Sequence, residues 1–364
     1  MGMCIIKPWY KSVGKVFGVS WDGSTSTRWT RTDDAALFSD PNPAINNGTG
    51  SSPFDSIMPW AGMVRVSDPD VGELVAIPKF YFKIEYANSS KPRGLKIQIS
   101  SEQFQGSQIS PAHADRGDGI GIRDVIYVGR YQCASDYKSK TGVLPIANKT
   151  RSSFRTGIHS LGTDIWQWDY ATLETIQLLY LVEYADWNSQ VKIGYGCGNG
   201  SSFENTGSTD NMQYHTGTNA SSRTTYGHIQ YRNIEGLWDN ALAFCDGIYF
   251  SSYYPFIIKN PSLFSDVSNG TNANIYASLA GSNISIMTIS QVDGLKWVMI
   301  PTATDSNSNF NTRICDAGYV ANNSVVVYVG GSWNRTLARG MFNFSSAPAN
   351  TATAQIGSRL MKLP

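Results

Sequence analysis

The strongest periodic signal in the chain lies in residues 170–190, where Leu173, Ile176, Gln177, Tyr180, Leu181 and Tyr184 recur at intervals of three and four. That spacing predicts a helix, and Asp169 just before it supplies a side-chain oxygen to cap the first free amides. Leu178, Leu179 and Val182 fall on its other side, so both faces are expected to be buried. A shorter helix is predicted in TRSSFRTGIHSL, residues 150–161. Aromatic and β-branched residues dominate ELVAIPKFYFKIEYA (73–87), GLKIQIS (94–100) and VIYVGRYQCA (125–134), which read as strands. After Asn188 the helical signal fades into stretches rich in Gly, Ser, Asn and Thr, punctuated by the short strands ISIMTIS, KWVMIP and SVVVYVGG.

The first 72 residues have a different texture. Short apolar runs, VGKVFGVSWDG and AGMVRVSD, flank SDPNPAINNGTGSSP, a loop by composition. At 364 residues the chain exceeds the roughly 250–300 at which one core stops growing. The expected division is a β-rich module at 1–72 and a larger domain at 73–364. Two helices followed by a long irregular region and short strands do not suit a parallel βαβ sheet, so the predicted class is α+β with function carried on loops.

Composition narrows the functions. Hydrophobic residues make up 41% and charged residues 16%, with 34 Gly, 19 Tyr and 10 Trp, which fits a β- and loop-rich globular protein. A net charge of +1 from scattered lysines and arginines argues against nucleic-acid binding through phosphate neutralisation. The longest apolar runs, such as IQLLYLV, fall short of the roughly 20 residues that cross a bilayer, so no membrane insertion is expected. The first fifteen residues lack a signal-peptide core, which predicts a protein not exported by the general secretory route.

Cys4, Cys133, Cys197, Cys245 and Cys315 are widely spaced and show no metal-ligand or redox pairing, so they read as buried reduced thiols. His113, His159, His215 and His228 never share a metalloprotease spacing with a carboxylate and read as surface or satisfied histidines. RGDGIGIRD lacks the strand-to-helix setting of a phosphate loop, and the RGD at 116–118 is too short a match to carry a function. No catalytic residue, cofactor or metal site is therefore expected. A glycosidase-like carboxylate pair stays open, because sequence does not give the separation of the acidic side chains. In GLWDNALAF, Asp239 or Asn240 is expected to cap backbone amides in a packed turn; Asp239, Asn240 and Asp246 together also offer hard oxygen ligands for calcium. Gly330 and Gly331 interrupt a strand so that the backbone bends and places Trp333 against the core.

Several of these segments resemble one family. YVGRYQCA looks like the first strand of a C-type-lectin-type fold of the formylglycine-generating-enzyme kind; YRNIEGLWDNALAFCDGI and GGSW…RGMF…IGSRLMKLP resemble its central and terminal motifs. TRTDDA, FDSIMPW and IPKFYFKIE look like phage and prophage tail-associated proteins that carry such a domain. The resemblance implies a C-type-lectin-like fold with two helices, short antiparallel strands and long irregular loops, preceded by the small β-rich module, which would attach to a virion or oligomerise. The enzymes of this family use two cysteines that, aligned on GSR, would stand near Thr336 and Met341. Neither is a thiol, and no cysteine follows Cys315, so oxygen-activating copper chemistry is not expected.

The resemblance points instead to binding. Diversity-generating retroelements vary such proteins in this C-terminal region, at adenine-rich Asn codons, and Asn334, Asn343 and Asn350 stand among residues reachable from them. The display segment is expected within 325–364. Arg335 and Arg339 would be planar donors, Leu337 and Phe344 apolar contacts, and Asn334, Thr336, Asn343, Ser345, Asn350 and Thr351 adaptable polar contacts. The expected function is receptor binding in a phage or prophage tail. The partners would be a host-cell surface protein or glycan, other virion tail proteins, and further copies in a homo-oligomer. A purely structural tail component and a carbohydrate-active enzyme are the alternatives.

Overall fold

A computed structural model of the chain describes residues 14–87, 94–279, 286–292, 294–304, 313–334 and 339–364. Helix α1 spans Arg151–His159, capped by Thr150, and helix α2 spans Tyr170–Tyr184, capped by the Asp169 carboxylate accepting from the Thr172 amide. Both lie within the segments expected to be helical, although α2 ends at Tyr184 and not at residue 190. All fifteen residues of α2 are buried, polar ones included. Burial of a polar group without a partner is costly, and α2 supplies partners: Gln177 donates to the Met341 carbonyl, Glu174 accepts from the Met299 amide, and Glu183 pairs with Arg232. A third helical turn, α3, covers Ser189–Lys192.

Strands dominate. Among the described residues they occupy 34% against 10% for helix, in five sheets. The α+β, C-type-lectin-like architecture with two helices is therefore not what the chain adopts; the fold is a β-rich assembly of several sheets. Its physical origin lies in the half of the chain that reads as loop. The apolar segments there are short, but each pairs with a distant segment, as Leu242–Ser251 does with Val325–Val329 on one side and Tyr254–Ile257 on the other. Helix α2 does not cover one face of a sheet. It is enclosed, touching Phe17–Trp21, Leu95–Ser100, Leu242–Ser251 and Leu295–Thr304.

The boundary expected at residue 72 does not divide the strands. Phe17–Trp21 pairs with Leu95–Ser100, and Arg65–Asp68 with Gly72–Pro78. One core cluster runs from Phe17 to Leu363 and includes the Phe17, Phe54 and Trp60 group beneath the N-terminal strands. At the other end, Leu360–Lys362 inserts between Ile165–Gln167 and Val125–Gly129, so the last residues are the middle of a sheet. Among the described residues no helix is long and apolar enough to cross a membrane. Arg116 of the RGD triplet is buried against Asp169.

Burial also sets a pH dependence. His113 is fully buried, joined to the Ser110 hydroxyl at 2.7 Å and the Ile77 carbonyl at 2.8 Å. Burial, with Lys79, Arg116 and Arg123 nearby, pulls its pKa down to about 4 from 6.5. Between those values the unfolded chain binds a proton that the folded chain refuses, so stability falls as pH drops through this window. Chemical denaturation is expected to show a loss on the order of 2 kcal/mol from this group between pH 7 and pH 5. In His113→Gln the same pH change should cost correspondingly less; an unchanged pH slope would contradict this assignment.

Candidate functional site

The two motifs around Trp238 and Trp333 meet by close backbone approach. Gly330 has φ of +78°, and a Cβ there would lie 2.5 Å from the Leu237 carbonyl oxygen; one on Gly331 would lie 2.2 Å from that of Trp238. Only glycine lets the two segments cross at this distance. Trp238 is the buried member, its indole donating to the Gly194 carbonyl at 3.0 Å. Trp333, expected to face inward, is half-buried instead: its amide bonds to the Asn240 carbonyl at 2.8 Å, while its indole lies outward, 3.4 Å from the Ala354 carbonyl. Asn240 sits at φ of +59° and ties down a third segment, accepting from the Glu204 amide and donating to its carbonyl. The Gly200 amide then donates to the Trp333 carbonyl at 2.7 Å. Two loops thus meet the Trp333 segment: residues 197–204 through Gly200, and the loop after Phe344–Pro348 through Ala354.

The expected display residues separate into two sets. Asn334 and Asn350 are exposed and Thr351 is half-buried, while Arg335, Thr336 and Leu337 lie outside the described residues. Arg339, Asn343, Phe344 and Ser345 are buried, so they do not face a ligand. The Arg339 guanidinium donates to Asn343 Oδ1 at 2.9 Å and Ser345 Oγ at 3.0 Å, and Asn343 Nδ2 donates to the Gly330 carbonyl at 2.6 Å. Beside them Asp316 accepts from the Gly340 and Phe342 amides, and burial lifts its carboxyl to about 7. Phe344 packs edge-on against Tyr170 and Phe250. These polar side chains satisfy one another inside the fold because their segment returns as a strand, Phe344–Pro348, paired with Val325–Val329. Met341, at the position of one absent thiol, is buried as well.

Asp239 and Asn240 act on backbone groups as the turn reading expects, with Asp239 Oδ2 accepting from the Ile229 amide. The calcium set does not assemble, since Asp246 is held by Arg155 and Arg151 at a separate buried ion cluster. A different group does. Cys197, Glu204 and His228 bring one ligand-type atom each to within 4.8 Å of one another. His228 is 2% exposed; its Nε2 lies 3.2 Å from Glu204 Oε2 and its Nδ1 3.4 Å from Asp239 Oδ1, yet neither nitrogen has a partner in hydrogen-bonding geometry. Burial works against the imidazolium, but the Asp239 and Glu204 carboxylates outweigh it and hold the pKa up at about 10. His228, then Cys197, hold the Glu204 carboxyl down at about 2. Burial, then the Asp239 charge, push the Cys197 thiol far up, opposite to the activation a nucleophilic cysteine needs.

The remaining histidines are satisfied: His113 as above, His159 stacked on Trp166, and His215 bonded to Thr216 and Asp55. Cys133, Cys197, Cys245 and Cys315 are free and buried, and Cys4 lies outside the described residues. His228 departs from the expectation of a satisfied histidine. Its partners stand 24 and 31 positions earlier in the chain, too far apart for any local motif.

No family model matches this sequence, and no curated protein matches it. Among solved structures the chain is similar to PvdO from Pseudomonas aeruginosa at 10% identity and a TM-score of 0.35, over 83% of this chain and 99% of that one. A likeness at that level carries neither fold nor function across.

Proposed function

We propose that this chain is a receptor-binding protein of a phage or prophage tail, and that its contact surface is the patch around Trp333. One observation carries the reading: within a single segment, residues 339–346 are all buried and hydrogen-bonded as framework, whereas Trp333 is half-buried, Asn334, Asn350, Ala352 and Ala354 are exposed, and the Ala354 carbonyl meets the Trp333 indole. Asn199, Gly200, Ser201 and Ser202 extend this exposed rim from the neighbouring loop. An aromatic anchor among small polar residues is the chemistry of an adaptable paratope. Fixing the loop ends in a buried frame lowers the ordering cost of binding. The similarity of TRTDDA, FDSIMPW and IPKFYFKIE to tail-associated proteins supports the setting. The partners would then be a host surface protein or glycan on one side and other tail proteins on the other, with repeated copies adding avidity.

The purified chain is expected to compete with intact particles for adsorption to host cells, in a saturable manner. If it neither binds cells nor slows adsorption, while particles lacking it fail to assemble, the chain is a structural tail component and the receptor reading falls.

A further inference from the structure

We propose that Cys197, Glu204 and His228 bind one zinc-class divalent cation, with Asp239 positioning the histidine from behind. A thiolate sulfur, a carboxylate oxygen and an imidazole nitrogen are the ligand types zinc takes, at about 2.0–2.3 Å each, which places ligand atoms roughly 3–4 Å apart around a tetrahedron. The three atoms converge within 4.8 Å, and the Nε2 to Oε2 separation of 3.2 Å falls at the tight end of that range. The donor set is too soft and too small in number for calcium, which takes six to eight oxygens.

A second observation points the same way. His228 is almost fully buried, and although carboxylate oxygens stand 3.2 and 3.4 Å from its two ring nitrogens, neither nitrogen meets them in hydrogen-bonding geometry, and Asp239 Oδ1 makes no hydrogen bond either. Such orphaned groups are rare in a folded interior and call for a ligand. The relation of Asp239 to Nδ1 matches the carboxylate–histidine–metal arrangement, in which the carboxylate fixes ring orientation while the other nitrogen coordinates. Asp239 is itself held in place by the Ile229 amide at 2.8 Å. On binding, the thiol gives up its proton and Nε2 carries none, so a thiolate, a carboxylate and a neutral imidazole meet a doubly charged cation without net charge. Glu204 is exposed, which leaves the ion a route in and a fourth position for water or an outside ligand.

This inference does not rest on the receptor reading, though it has a consequence for it. Both ends of the 197–204 loop would be pinned by the metal, and Gly200 in its middle bonds to Trp333, so the ion would stiffen one wall of the exposed patch.

The test uses the untagged full-length chain, stripped of metal and titrated with zinc, then with cobalt as a spectroscopic probe. One zinc per chain, a rise in Tm, and a thiolate-to-cobalt charge-transfer band in the near ultraviolet are expected. Cys197→Ser should abolish that band, His228→Gln should weaken zinc at least 100-fold, and Asp239→Asn should weaken it about 10–100-fold. A folded wild-type chain that neither retains zinc nor shows the band would overturn the assignment. So would zinc binding of equal affinity in the Cys197→Ser and His228→Gln variants, or a response to calcium alone. Because the band is read in the wild-type chain, misfolding of a variant cannot conceal a negative result.

Discussion

Replacing Arg359 with Met is expected to destabilise the chain by about 3–5 kcal/mol, the loss associated with taking the charged partner out of a buried polar network. The Arg359 guanidinium is buried and donates to four carbonyls: Gly129 at 2.6 Å, Arg130 at 2.7 Å, Glu235 at 2.5 Å and Gly236 at 3.3 Å. It thereby joins three segments far apart in the chain: the end of Val125–Gly129, the turn before Trp238, and the C-terminal strand. Methionine fills much of the space and donates nothing. The Arg130 and Gly236 carbonyls keep a second donor, in the Glu235 amide and Gln132 Nε2, but all four lose the cation. Burial already draws the Arg359 pKa down to about 10, a sign that its charge is tolerated only because those carbonyls surround it. For a chain of this size the loss corresponds to a fall in Tm of about 4–7 °C. A loss below about 1 kcal/mol by urea unfolding would mean the carbonyls find other partners, and that Arg359 does not organise the frame.

Gly331→Ala is expected to cost about 3 kcal/mol, at the upper end for overpacking, since nothing nearby can rotate away. The added Cβ would meet the Trp238 carbonyl oxygen at 2.2 Å and the Arg339 carbonyl oxygen at 2.9 Å, both main chain. Relief requires parting the two motifs, and with them the bond from the Trp333 amide to the Asn240 carbonyl. The variant should therefore lose stability and receptor binding together. A fully stable Gly331→Ala protein would show that the crossing is looser than these contacts require.

What the sequence revealed follows from how local each signal is. Helix α2 was legible because its apolar spacing and its Asp169 cap lie within one segment. Strand segments such as Leu95–Ser100 and Val325–Val329 were legible from β-branched and aromatic runs, but their partners were not. Pairing is a long-range property, so a chain of many paired strands read as two helices, short strands and long irregular loops. The same limit misplaced four of the seven display residues that are described. Arg339, Asn343 and Ser345 are polar and look solvent-facing, yet they satisfy one another in the interior. Phe342 and Phe344, on either side of Asn343, were the available hint that this stretch enters the core. The Cys197, Glu204 and His228 cluster had no sequence signal, because its members come together only when the loop at 197–204 folds against the segment that begins at His228.

The central claim is that the exposed rim around Trp333, and not the buried frame beneath it, makes the contact with the host. A variant carrying Trp333→Ala, Asn334→Ala and Asn350→Ala alters that rim while leaving residues 339–346 untouched. Its unfolding free energy should stay within about 1 kcal/mol of wild type, and in competition with particles for adsorption it should bind at least about 30-fold more weakly, as expected when an aromatic anchor is removed. Equal competition by the folded variant and the wild-type chain would contradict the claim.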